Sequence, residues 1–181
     1  MSTYTDSQDV TKTLERKYLM EHNVKNFLAF AAKCKTEPDA ITLLTALQEA
    51  LFLDAPDLAW LDRQNDDFSI EGGKPYVHFE LNRVISDHYI TTIRPEIRDG
   101  KMCVNVATNR MLDGHGLMSQ RWEIAHELDE DILPTSDMTM AAVALRAKRI
   151  AIDQHVTLLE MLGVPRAEAQ ELCKKLWKAP A

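Results

Sequence analysis

The chain has few of the features that mark exported, membrane-spanning or disulfide-stapled proteins. Its 181 residues include three cysteines, Cys34, Cys103 and Cys173, which lie far apart. An odd, sparse set of cysteines argues against a disulfide framework and is typical of a reducing compartment. No apolar run approaches the roughly 18 residues of a membrane span, and the N-terminal residues lack the apolar core of a signal peptide. We therefore expect a cytoplasmic protein that does not contact membranes.

The chain also has fewer basic than acidic residues. The 28 acidic residues outnumber 21 lysines and arginines and give a formal net charge of −7. A negative field disfavours binding to nucleic acids and acidic membranes, and it suits docking to a basic protein surface. Hydrophobic residues make up 45% of the chain, which is enough to bury a sizeable core. We expect one domain over residues 1–181, with residues 1–8 disordered.

Recognisable catalytic and cofactor motifs are missing from the sequence. We find no glycine-rich phosphate loop, no nucleophile elbow and no cysteine pair with zinc-ribbon spacing. Internal repeats and low-complexity segments are absent as well. The sequence therefore favours a binding protein without a cofactor over an enzyme.

The spacing of apolar residues predicts two helices at the N-terminus. The first covers residues 10–34. The second begins after Thr36, which is suited to cap a helix, and carries Pro38 where the first turn tolerates proline. Its predicted buried stripe consists of Ile41, Leu44, Leu47 and Leu51.

The middle of the chain changes to the two-residue period of β-strands. The segment "PYVHFEL" places Val77, Phe79 and Leu81 on one face and Tyr76, His78 and Glu80 on the other. Two turns, at residues 72–73 and 99–100, carry the glycines that tight hairpins need. Pro95 predicts that its strand is an edge strand, a bulged strand or two pieces. We expect an antiparallel meander of three or four strands over about residues 66–108.

Helical spacing returns in the C-terminal part and predicts three helices, over residues 118–133, over about 137–162 and after Pro165. The fold class is therefore α+β, with the sheet flanked by two N-terminal and three C-terminal helices. The predicted core consists of Leu44, Leu47, Val77, Phe79, Val104, Leu128, Ile152 and Leu159.

The stretch "RWEIAHELDED", residues 121–131, is the strongest candidate for a binding or catalytic site in the sequence. Read as a helix, it places Ile124, Ala125, Leu128 and Ile132 on one face. The opposite face then carries Glu123, His126, Glu127 and Glu130, with Asp131 beside them. This face fits two hypotheses: a solvated acidic surface that docks a basic partner, or a metal site.

Within this stretch, "QRWEIAHEL" resembles the zinc-site helix of the small metallopeptidases that cleave phage repressors, which carry Arg-aromatic-x-x-Ala-His-Glu-Leu. The resemblance is confined to this stretch. It implies zinc bound by His126, with Glu127 as the general base. Glu130 stands where that family has its second histidine, so the site would be His-Glu-x-x-Glu, with His155 or Asp131 as a third ligand.

Two further polar residues, Lys148 and His155, lie on an otherwise apolar row of the helix predicted over 137–162. An unpaired charge is costly to bury. Either these side chains are accommodated locally, as a snorkelling lysine and a hydrogen-bonded core histidine, or they meet the acidic residues of 123–131.

The leading hypothesis is a non-catalytic cytosolic binding protein, such as an adaptor, a chaperone or an inhibitor encoded by a phage or mobile element. Its partner would be a protein with a basic surface. The predicted binding residues are Glu123, His126, Glu127, Glu130, Asp131, Lys148 and His155. The alternatives are a metal-dependent hydrolase and a DNA-binding regulator that uses the helix pair at 156–178. Exposed sheet edges also predict self-association, for example as a homodimer.

Overall fold

The computed structural model describes residues 22–86, 89–111 and 124–178 and has the predicted α+β architecture. The helices are α1 (Val24–Lys33), α2 (Glu37–Asp54), α3 (Pro56–Ala59), α4 (Met140–Met161) and α5 (Arg166–Leu176). The strands are β1 (Asp62–Glu71), β2 (Lys74–Ser86), β3 (Tyr89–Arg98), β4 (Lys101–Met111) and β5 (Ile124–Ile132). The expectations for residues 1–8 and for the part of the first helix over 10–21 fall outside the described residues. The single helix predicted over 10–34 is wrong at residues 22–23, because Asn23 is extended and its side chain caps α1, which begins at Val24.

Helix α2 begins as its sequence predicts. The Thr36 hydroxyl accepts a hydrogen bond from the Asp39 amide, and the Asp39 carboxylate accepts one from the Thr36 amide, so the two residues form a capping box. The predicted buried stripe needs one correction, because Ile41 is 45% exposed. Small residues, Ala40, Ala46 and Ala50, share the buried face with the leucines, which lets the helix lie close to its neighbours.

The five strands form one antiparallel sheet in the order β1-β2-β3-β4-β5. Strand β3 is therefore central, and the prediction that Pro95 marks an edge, a bulge or a break is wrong. Pro95 lies between the paired positions His78–Glu96 and Leu81–Ile93, and it also pairs with Val104 of β4. A proline lacks only the N–H that would bond to one neighbour, so the pairs around it keep β3 continuous.

The largest correction concerns residues 124–132, which form the edge strand β5 instead of a helix. Ile124, Leu128 and Ile132 follow one another at four-residue steps, and this spacing fits one face of a strand as well as one face of a helix. On a helix, acidic residues three and four apart repel one another, whereas successive strand residues point to opposite faces. Pairing with β4 also supplies main-chain hydrogen bonds, which makes the strand the better solution here.

The hairpin turns are those that the sequence predicts. Asp99 and Gly100 both have positive φ angles, 52° and 71°, as a tight two-residue turn between β3 and β4 requires. Gly72 and Gly73 do the same between β1 and β2, with φ angles of 57° and 78°. These turns fix which strand residues share a face.

One face of the sheet carries the main apolar core, where Val77, Phe79, Ile93 and Val104 pack against buried residues of α1, α2 and α4. Most of the predicted core residues are buried as expected, but Leu128 and Ile152 are only half-buried. The alternate strand residues point to the opposite face of the sheet. Among the described residues, the main core cluster does not cover this second face.

The two C-terminal helices match their prediction closely. Helix α4 ends before Gly163, whose φ of 90° suits glycine, and α5 follows Pro165. A second apolar cluster joins them and contains Val156, Leu159, Ala169 and Cys173. Within the described ranges, no helix is long and apolar enough to cross a membrane.

Candidate functional site

The described acidic residues of the stretch predicted as a helix lie instead on the edge strand of the sheet. Asp129, Glu130 and Asp131 are all exposed on β5. Asn105 of β4 donates hydrogen bonds from its amide to the carboxylates of Asp129 and Asp131, the latter at 2.8 Å. Two carboxylates that share one side-chain donor are held on the same face as Asn105, while Glu130 points to the other face.

The strand removes the spacing on which the metal hypothesis depended. Residues four apart on a helix are neighbours, whereas four residues along a strand cover about 13 Å. The proximity of residues four apart, on which the zinc-site pattern of His126 and Glu130 depends, is a property of a helix and is lost when the segment forms a strand. No group of three or more potential metal ligands occurs in the part of the chain that the structure describes. Glu123 lies outside that part, and Glu127, like His126, is placed in β5 by its backbone.

The remaining predicted residues, Lys148 and His155, both lie on α4 but in different surroundings. Lys148 is half-buried and lines a cavity of about 240 Å³ with Asp54 and Leu145. His155 is completely buried, and its Nδ1 atom lies 3.3 Å from the sulfur of Cys173 on α5. The described residues of the predicted set therefore occupy three environments: exposed acids on an edge strand, a half-buried lysine at a cavity, and an interior histidine.

Charge is separated between the edges and the interior of the sheet. The two edge strands, β1 and β5, carry eight carboxylate residues and a single arginine. The three inner strands carry six lysines and arginines and only two glutamates. Charged edge strands resist pairing with other sheets, so the acidic residues of β5 and β1 protect the fold from edge-to-edge aggregation.

An apolar groove lies beside the other edge strand, β1. A groove of about 500 Å³ is lined by Gln48, Glu49, Phe52, Leu53 and Arg63. It shares Gln48, Phe52 and Arg63 with a cavity of about 300 Å³ whose other lining residues are Leu51, Leu58, Ala59, Leu61, Phe79 and Leu81. We call these two connected spaces the α2–β1 groove.

Two large apolar side chains stand open at the α2–β1 groove. Phe52 is 63% exposed and Leu53 is 65% exposed, although both end a helix whose other face is buried. Exposed apolar side chains grouped at a concave, polar-rimmed surface are typical of binding sites. The sequence contained a signal for them: "ALFLD" puts three large apolar residues in a row, and a helix cannot turn all three toward one core.

The rim of the groove is acidic. Glu49 lines the groove itself, and Asp62, Asp66 and Asp67 are exposed on the adjoining strand. Arg63 reaches Asp66 at 4.0 Å and is the only lysine or arginine in β1. The groove therefore combines apolar anchoring surface with negative charge.

Two basic residues of the helix pair considered for DNA binding form local ion pairs. Arg166 lies 3.3 Å from Glu160, and Lys174 lies 3.1 Å from Glu171. Helix α5 also buries Ala169 and Cys173 against α4. Its exposed face is mixed in charge, and this does not favour the DNA-binding hypothesis over protein binding.

No protein-family model, curated protein or solved structure matches this chain. Its function must therefore be argued from its own surfaces.

Proposed function

We propose that this protein is a non-catalytic binding protein, such as an adaptor, a chaperone or an inhibitor, that docks a segment of a partner protein in the α2–β1 groove. The exposure of Phe52 and Leu53 beside the groove carries the proposal. Apolar and aromatic side chains that fill pockets supply much of the energy of protein interfaces. Burying these two residues under a partner would remove their apolar surface from water.

The acidic rim indicates the charge of the partner. Glu49 and the exposed aspartates of β1 surround an apolar centre, so the complementary segment has apolar residues on one side and lysine or arginine residues on the other. Opposite charges at the rim of an interface raise the association rate and suppress wrong partners. The basic partner expected from the net charge is retained, but its contact surface is the groove and edge strand β1 instead of an acidic helix.

Gln48 offers a polar contact inside the apolar surface. Its side chain lines both spaces of the groove, and its Nε2 atom has no hydrogen-bond acceptor among the described residues. Buried donors without an acceptor are uncommon in folded proteins. A carbonyl oxygen of a bound segment would satisfy this donor and fix the orientation of that segment in the groove.

The test uses two synthetic amphipathic peptides with the same leucine face and either lysine or glutamate on the polar face. We expect the lysine peptide to bind, with an affinity that falls as salt rises, because the rim charges are screened. The glutamate peptide should bind far more weakly. Isothermal titration calorimetry measures both, and the double variant Phe52→Asp, Leu53→Asp should lower the affinity at least about tenfold.

A matched control uses the other exposed apolar pair, Met161 and Leu162, which are 69% and 59% exposed at the end of α4. Aspartate at both positions should leave peptide binding unchanged. Equal loss in both double variants, or equal affinity for the two peptides, would contradict the proposal. If the Phe52 and Leu53 variant instead converts a dimer to a monomer in light scattering, the groove is covered by a second copy of the chain.

A further inference from the structure

The face of the sheet opposite the main core carries a compact group of polar side chains on β2 and β3. At its centre is Tyr76, which is 7% exposed. The Arg98 guanidinium lies over its ring, 4.0 Å from the centroid, and the His78 ring lies 5.2 Å away on the same strand. Arg94 donates a hydrogen bond to the Tyr76 hydroxyl at 3.2 Å. We call Tyr76, His78, Arg94 and Arg98 the tyrosine–arginine cluster.

The two arginines of the cluster differ in how far their charges are compensated. Arg98 forms an ion pair with Glu96 at 3.3 Å in addition to its contact with the tyrosine ring. Arg94 has five N–H donors, and the Tyr76 hydroxyl is its one hydrogen-bond partner among the residues that the structure describes. The Nε atom of Arg94 is buried without an acceptor.

A second buried polar atom in the cluster also lacks a partner. The Nδ1 atom of His78 is buried and meets no hydrogen-bonding group in the described part of the chain. His78 and Arg94 therefore both present unused hydrogen-bonding capacity around one tyrosine. In folded proteins nearly all such buried atoms are satisfied, and an exception calls for a ligand or another explanation.

We propose that the tyrosine–arginine cluster binds a carboxylate group. Arginine donors match the planar geometry of a carboxylate and form paired, charge-assisted hydrogen bonds with it. The Tyr76 hydroxyl accepts from Arg94 and keeps its own proton free to donate to the same ligand. This site is separate from the α2–β1 groove and takes the opposite charge, so it does not depend on the function proposed for the groove.

The neighbouring acidic residues limit the charge of the ligand. Glu96 is paired with Arg98, Glu80 accepts a hydrogen bond from Asn65 at 2.6 Å, and Asp67 lies opposite His78 in the β1–β2 pairing. Arg94 forms no ion pair with a residue that the structure describes, and with these three carboxylates nearby its single positive charge suits a singly charged ligand. A phosphate dianion would be repelled by these carboxylates about twice as strongly as a carboxylate, because it carries about twice the charge.

The test is a titration of the isotope-labelled full chain with sodium acetate at constant ionic strength, followed by NMR. We expect saturable shifts at the Arg94 Nε–H and the Tyr76 amide. Arg94→Gln should lower the affinity about tenfold, because it removes the charge-assisted donors. Arg146→Gln, which changes an exposed arginine of α4, is the matched control and should leave the titration unchanged.

Two further arms identify the ligand. Inorganic phosphate should bind more weakly than acetate, and tighter binding of phosphate would overturn the assignment to a carboxylate. Two short peptides of equal charge, one with a glutamate side chain and an amidated end and one with glutamine and a free C-terminus, show which carboxylate source fits better.

Variant Tyr76→Phe keeps the ring contact with Arg98 but removes the hydroxyl, so it should weaken acetate binding while the thermal midpoint stays close to that of the wild type. This variant keeps the test valid if Arg94→Gln does not fold. The absence of saturable shifts at Tyr76 and Arg94 in the wild-type protein would overturn the proposal.

Discussion

The Nδ1 atom of His155 lies 3.3 Å from the sulfur of Cys173, and both residues are completely buried between α4 and α5. The Tyr89 ring packs against the imidazole, with its centroid 5.9 Å away. Burial raises the pKa of Cys173 to about 11, so its sulfur is a neutral thiol near pH 7. The Nε2 atom of His155 has no partner among the described residues. This contact therefore suits a neutral imidazole and offers little to a charged one.

The protonation of His155 predicts how stability depends on pH. Burial lowers the pKa of His155 below its ordinary value of 6.5, so the unfolded chain binds more protons than the folded chain in mildly acidic solution. The free energy of unfolding should be at its full value above pH 6.5 and should fall as the pH drops below it. Urea denaturation at a series of pH values measures this slope.

Variant His155→Gln, which cannot take up a proton at this position, is the comparison for that experiment. Its unfolding free energy should fall less steeply below pH 6.5 than that of the wild type, even if the variant is less stable throughout. Parallel curves for the two proteins would show that His155 does not set the acid sensitivity.

The core at the centre of β2 should be sensitive to loss of volume. Phe79 is 1% exposed, and we expect Phe79→Ala to lower the free energy of unfolding by about 3–5 kcal/mol, because it removes buried apolar surface and leaves a cavity. Val84→Ala is the control on the same strand, since Val84 is 57% exposed. Urea denaturation that gave similar losses for both variants would be inconsistent with the burial of Phe79.

Zinc should not stabilise this protein through His126. His126 and Glu130 lie on the strand β5, where residues four apart are not neighbours as they are on a zinc-site helix. We expect the thermal midpoint of the wild type to be the same with zinc and with a chelator, and His126→Ala to behave identically. A zinc-dependent rise in the midpoint that His126→Ala abolishes would restore the metal hypothesis.

The sequence predicted well those elements whose local signals agree with their tertiary surroundings. The capping box at Thr36, the turn at Asp99–Gly100 and the stop at Gly163 are set by local chemistry and appear where expected. The prediction from Pro95 was wrong because proline removes only one N–H donor, and the pairs that β3 forms with β2 and β4 keep the strand in place. Pairing between strands distant in sequence is not visible in a local pattern.

The candidate site was predicted less well, for the same reason. The helical spacing of residues 121–131 was real, but pairing of Ala107 with Asp129 and of Val106 with Glu130 decides the structure of that segment. The α2–β1 groove depends on how α2, α3 and β1 meet, which no spacing along the chain reveals. The chain has the expected acidic surface, but this surface lies on the edge strands of the sheet instead of on a helix face.

Site-specific photo-crosslinking tests the central claim most directly. A photoreactive residue at position 53, in the full chain expressed in its own cells, should crosslink to one reproducible protein through a segment rich in apolar and basic residues. The same residue at position 161, which is equally open to solvent, should give no such product. Crosslinks of equal yield from both positions, or a crosslinked segment that is acidic, would contradict the proposal that the α2–β1 groove docks a basic, apolar partner.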